Sequence, residues 1–194
     1  SLSKVKKIGS FFCLFILLNA SIGLWVQYLH HLLNSSLFSE FFLNESAFAL
    51  GVCNGCQALA LLSSLIPGSN GWPKFIRNTS EKFESRLVQT LIKESPSIFF
   101  KDMAGSVLPI PVAHGEGRLS SSSEEVIDLT KAKLSALAYA DNAGYATEAY
   151  PQNPNGSLAG IAGITNVSGR VTLMMPHPER AFLTYQHSWC PEDW

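Results

Sequence analysis

The chain has 194 residues, a net charge of -1, and 46% hydrophobic against 15% charged residues. That length supports one well-buried domain, and the near-neutral balance offers no basic stripe of the kind that neutralises nucleic-acid phosphates. The four cysteines, Cys13, Cys53, Cys56 and Cys190, have no disulfide-framework spacing, which favours a reducing compartment.

In chain order, Lys4-Val-Lys-Lys7 precedes the apolar run Phe11–Leu18, and apolar character continues to Leu29. This has the form of a secretory signal, and the sequons at Asn34, Asn44 and Asn166 are compatible with one. Asn19, Ser21 and Gln27 interrupt the stretch, whereas a membrane span needs about 20 continuous apolar residues. Residues 1–36 are therefore set apart as an apolar segment, either signal-like or outside the domain, and residues 37–194 are taken as the domain.

The spacing of Phe38, Phe41 and Phe42 predicts a short helix over Leu37–Ala47. Phe48–Val52 reads as a buried strand and Cys56–Ile66 as a helix stopped by Pro67-Gly68. Asn78–Arg86 is polar and leads into an alternating strand over Leu87–Ile92. Ile98–Phe100 and Ser106–Ala113 are expected to be extended, the latter at a sheet edge because it holds Pro109 and Pro111. Ser120–Ser123 is a joint that caps a helix from Glu124 through Ala138, with Val126, Leu129, Leu134 and Leu137 on one face. Asn153–Ser157 is a tight turn, and Leu158–Thr165 and Val171–Met175 form a hairpin across Asn166–Arg170.

Two stretches carry chemistry. In Phe48-Ala-Leu-Gly-Val-Cys53-Asn-Gly-Cys-Gln57, a strand-like run gives way to a helix-like run through Cys53, with Gly51 and Gly55 two residues to either side. A nucleophile on a tight strand-to-helix turn needs bare neighbours at those positions. The following helix aims its N–H groups at the sulfur, which should lower the thiol pKa. In Met174-Met-Pro-His177-Pro-Glu179-Arg180, prolines fix the backbone on both sides of the histidine. Residues i and i+2 of an extended segment share a side, so Glu179 can orient His177 as the base that serves Cys53.

Cys53 and Cys56 also have Cys-x-x-Cys spacing, but no second pair supports a zinc site and no thioredoxin-like unit supports a redox dithiol. No metal site is expected. Cys56 reads as a small core residue. Ala113-His114-Gly-Glu116-Gly-Arg118 sets polar side chains between glycines, as a binding loop would. Asn78, Glu84 and Arg86 form a further polar cluster to which spacing assigns no chemistry.

Four motifs in order, Gly51–Gln57, His114–Arg118, Asn153–Ser157 and Met175–Arg180, together resemble the glutaminase domain of phosphoribosylformylglycinamidine synthase, a class I (triad) glutamine amidotransferase. The resemblance covers residues 37–194. It implies an α/β fold, a flavodoxin-like three-layer sandwich, with Cys53, His177 and Glu179 as the triad. It also implies Gln57 near the glutamine pocket, the Asn54 N–H as an oxyanion donor, and His114 and Glu116 as substrate-binding residues. Glutamine is the implied substrate. The partner is a synthetase domain that takes up the ammonia to convert formylglycinamide ribonucleotide to the amidine in de novo purine biosynthesis. That partner, not this chain, would hold ATP and magnesium. The setting would be cytoplasmic or plastid, with a secretory route only if residues 1–36 are a genuine signal.

The family's strands and glycine-rich loop ahead of the elbow have no match in residues 1–36. The expectation is thus a domain truncated or altered at its N-terminal strands and short of one oxyanion donor. Two readings compete with an active glutaminase: a catalytically inactive fragment acting as an interaction piece, and a secreted cysteine hydrolase of γ-glutamyl bonds.

Overall fold

The computed structural model describes residues 12–16, 36–69 and 72–187. Its frame is a seven-stranded mixed sheet in the order β1-β2-β9-β8-β7-β4-β5. Strand β1 spans Phe12–Ile16, β2 Ala47–Val52, β4 Glu84–Ile92, β5 Val107–His114, β7 Ser135–Ala140, β8 Ile161–Thr165 and β9 Val171–Met174. β1 and β9 flank β2 in parallel, and every other neighbouring pair is antiparallel. Two short strands, β3 (Phe75–Ile76) and β6 (Arg118–Leu119), pair separately. Because β1 joins the sheet, a strand lies ahead of the domain boundary expected at residue 37. The glycine-rich loop expected to be missing falls on residues 1–36, mostly outside the described residues.

Among the described residues, three α-helices accompany the sheet: α1 (Ser36–Leu43), α2 (Asn54–Leu61) and α3 (Ser123–Lys131). The α/β class expected from the sequence is observed, with few helices. Side chains alternate across β2. Ala49 belongs to a core with Leu59 and Ile66 from the α2 side, while Leu50 and Val52 join Val88, Ile110 and Leu137 in a second core. Both faces of the sheet are therefore covered, and each buried Leu or Ile contributes about 1.5–3 kcal/mol by leaving water.

Several elements differ from expectation. The helix from Glu124 stops early: Ala132 caps α3, Lys133 turns to φ 55°, and Ser135–Ala140 becomes β7. Every residue of β7 is buried, so no alternation marked it as a strand. Ser122 does cap α3 as expected, accepting from the Glu125 N–H at 3.2 Å. Ile98–Phe100 is a 3-10 turn rather than extended, and a similar turn over Ser63–Leu65 replaces the end of the second predicted helix. Asn166, one of the three sequon asparagines, is buried and bonded to Pro67 O and Ser168 Oγ, which makes it part of the β8–β9 turn. Among the described residues, no helix is long and apolar enough to cross a membrane.

The curl of the sheet positions the site. β5 is the last strand in the order, yet its Pro111 carbonyl accepts from the His177 N–H, just beyond β9, at 2.8 Å. Pro109 and Pro111 have no N–H to donate, which suits an edge strand. That edge closes over the C-terminal ends of β2 and β9.

Candidate active site

Cys53 is the residue between β2 and α2, with φ 53° and ψ −108°. An L-residue adopts that backbone only where its surroundings enforce it. Here the Cys53 N–H is held by Met174 O at 2.9 Å, and its carbonyl accepts from the Gln57 N–H at 3.1 Å as α2 begins. Gly51 has to be glycine, because a Cβ there would lie 2.6 Å from Gly55 O and 2.8 Å from Leu59 Cδ1. Strand and helix approach each other more closely than a methyl group permits, and the cysteine is thrust out at the vertex.

His177 follows β9 as Cys53 follows β2, and these two strands are parallel neighbours. Their ends are fixed on the same strand: the His177 N–H bonds Pro111 O, and the Cys53 thiol lies 3.7 Å from Ala113 O. Carbonyls two residues apart in a strand point the same way, about 6.8 Å apart, so the sulfur and the histidine occupy adjacent places along β5. His177 Nδ1 is 2.7 Å from Glu179 Oε1. A carboxylate only accepts, so Nδ1 carries the proton and Nε2 presents a lone pair. Nε2 is buried and has no hydrogen-bond partner within the protein. Arg180 Nε lies 3.4 Å from the same Glu179 oxygen and forms an ion pair with it.

The electrostatics correct one expectation. The Cys53 thiol is pushed up, not down, from its ordinary value, and burial is the largest cause. The Asn54 backbone N–H and the Arg180 charge pull it down, as a helix start and a cation should, while Glu179 opposes them. Burial also lowers His177, against the upward pull of Glu179. The resting pair is therefore a neutral thiol beside a neutral imidazole, not a preformed thiolate. Such a pair can transfer its proton as the sulfur attacks.

The expected binding loop lies against this elbow. Gln57, one helical turn after Cys53, donates from Nε2 to Glu116 O at 2.8 Å. Its amide is thus spent on supporting the loop. His114 differs from expectation more clearly. It is 3% exposed and lies beneath the loop; a Cβ on Gly117 would sit 2.5 Å from its ring. Its Nε2 faces the Tyr139 hydroxyl at 3.5 Å, and burial holds its pKa at about 4. Glu116 is half-buried in the loop, and Asn54 opens α2 beside the sulfur. His177 and Glu179 are thus hydrogen-bonded and Cys53 lies at the same end of the sheet, while His114 lies beneath the loop. Sequence reasoning missed Arg180, Tyr139 and the roles of Asn78 and Asn155; the Asn153–Ser157 motif was the available signal for Asn155. Among the described residues, no group of three or more metal-ligating side chains gathers.

Residues 19–194 match the model of the CobB/CobQ-like glutamine amidotransferase domain, so the match begins well ahead of residue 37. A chain in the structure of PurLQS from Thermotoga maritima is similar, with TM-score 0.52 and 27% identity. That likeness covers 72% of this chain and 54% of that chain, so this chain spans about half the length of its structural relative. Both findings support the resemblance to the glutaminase domain of phosphoribosylformylglycinamidine synthase. With a cysteine elbow and a carboxylate-oriented histidine at one sheet end, and a family match over most of its length, the chain belongs to the CobB/CobQ-like glutamine amidotransferase domain family.

Proposed function

We propose that this chain hydrolyses the side-chain carboxamide of glutamine at Cys53. The ammonia then serves a cytoplasmic or plastid synthetase unit that forms formylglycinamidine ribonucleotide with ATP and magnesium. The observation that carries this reading is the unpartnered Nε2 of His177, held in its basic tautomer by Glu179 beside a strained cysteine.

In this reading the Cys53 proton passes to His177 Nε2 as the sulfur attacks the amide carbon. The developing oxyanion is met by the backbone N–H of Asn54. His177 returns the proton to the departing nitrogen, leaving a γ-glutamyl thioester and ammonia. Water, deprotonated by the same imidazole, then releases glutamate and restores the thiol. Glu116, the carboxylate of the neighbouring loop, faces the ammonium of the substrate's amino-acid end.

The test is glutamate release from glutamine by the chain, compared with Cys53→Ala. Removing the nucleophile should lower turnover by about 10⁴-fold or more. Turnover that survives the substitution overturns the assignment.

A further inference from the structure

The loop that carries Glu116 is held by side chains distant in sequence. Asn78 Nδ2 donates to His114 O at 2.8 Å and to Lys82 O at 3.0 Å, while its Oδ1 accepts from the Gly117 N–H at 2.9 Å. Asn155 Nδ2 donates to Gly117 O at 2.6 Å and to the Tyr139 hydroxyl at 3.0 Å, and its Oδ1 accepts from the Ser157 N–H at 2.9 Å. The Gly117 peptide is thereby gripped on both sides by amides that are 2% and 0% exposed. Gln57 adds the bond to Glu116 O from the elbow's own helix. A short amide offers two donor hydrogens and a separate acceptor oxygen from one stem, whereas an ionised aspartate only accepts and a serine hydroxyl has a single donor. In a buried site each unmade bond would leave a peptide group unpaired.

None of the hydrogen bonds made by the Asn78 and Asn155 side chains falls on Cys53, His177 or Glu179. The elbow is held by Met174 O, and the histidine by Pro111 O and Glu179. The two supports therefore touch only through Gln57 and the end of β5, Ala113-His114, and meet at one cleft. We propose that Asn78 and Asn155 are positioning residues that hold Glu116 in place for the amino-acid end of glutamine, without contributing to the reactivity of the thiol. This rests on the glutaminase reading above.

The test compares two alkylating probes of Cys53 on the full chain. One is a glutamine-shaped diazoketone carrying the α-amino acid group; the other is iodoacetamide, which lacks it. In Asn155→Ala and in Asn78→Asp, which keeps the acceptor for Gly117 N–H, labelling by the diazoketone should fall about 10–100-fold, the range for a misplaced polar contact to substrate. Labelling by iodoacetamide should stay the same, and KM for glutamine should rise by a similar factor with kcat little changed. Glu116→Gln should reproduce this loss, and combining it with Asn155→Ala should add nothing further. A wild-type chain without preference for the glutamine-shaped probe overturns the glutaminase reading itself. A preferring wild type whose variants keep that preference overturns the positioning role alone. Equal losses with both probes, or additive losses in the double variant, also overturn it.

Discussion

The elbow around Cys53 and the loop around Glu116 lie side by side but are built in opposite ways. The elbow is local. Two glycines, a strand and a helix force the cysteine to φ 53°, and few residues outside Gly51–Leu59 take part beyond Met174. The loop is not local. Its peptide groups are held by Asn78 across 36 and 39 residues, by Asn155 across 38, and by Gln57 across 59. The contrast suggests a division of labour. In the proposed function, reactivity falls to a strained turn held by close packing and by its own backbone hydrogen bonds, and recognition falls to a loop that requires a polar scaffold.

The largest effect should come where the elbow meets its base. Glu179→Gln keeps the shape but exchanges an acceptor-only carboxylate for an amide that can also donate to Nδ1, so the His177 tautomer is no longer fixed and kcat should fall about 10³–10⁴-fold. The same variant has a sign to check. Burial already lowers His177 from 6.5 and Glu179 partly raises it, so the neutral base should persist below the ordinary histidine range. Loss of the carboxylate should move the acid limb of kcat/KM lower still while the plateau drops. A pH–rate profile reads both; a limb that moves upward would contradict the assigned pairing.

Gly51→Ala tests the elbow as a purely steric device. The added methyl meets the Gly55 carbonyl oxygen and carbon and Leu59 Cδ1 within 3.0 Å, and two of those three atoms are backbone. Overpacking of this kind should cost about 3 kcal/mol, the upper end of its usual range, in urea unfolding. Probe selectivity among the surviving native molecules should fall less than in the loop variants. An undisturbed stability would mean that strand and helix can part without cost, and the elbow would not be strained by its neighbours.

This difference in construction also decides what was readable from the amino acids. Gly51, Cys53 and Gly55 state their geometry within five positions, and His177-Pro-Glu179 states its own within three, so the elbow and the His177–Glu179 pair are legible. β7 was not. Ser135–Ala140 is buried on both faces, so it lacks the alternation that marks a strand, and its alanines suit a helix equally well. Ala132, Lys133 and Leu134 separate the two elements, with Lys133 at positive φ behind the cap of α3, and nothing in a lysine announces that. His114 was misplaced for a related reason. Glycines on both sides suggest an open loop, but Gly117 is bare so that the backbone can fold down over the imidazole. The thiol pKa was misjudged because a helix start is visible in sequence and depth of burial is not.

His114 supplies the smallest and most specific test of the loop's foundations. It stays neutral in the fold, with its pKa lowered from 6.5 to about 4 by burial, with His177 adding to the effect and Glu84 opposing it. The unfolded chain binds a proton there below about 6.5 and the native chain does not, so the unfolded state holds more protons between those values. The stability this group provides is therefore complete above 6.5 and is lost progressively as pH falls toward 4. Between pH 7 and pH 5 the loss should be about 2 kcal/mol. His114→Gln keeps an acceptor for the Tyr139 hydroxyl and removes the titration, so its stability should be correspondingly flatter across the same interval. Paired urea titrations at the two pH values measure this directly. Parallel losses in wild type and variant would show that acid enters elsewhere, and that the ring beneath Gly117 is not the buried neutral base described above.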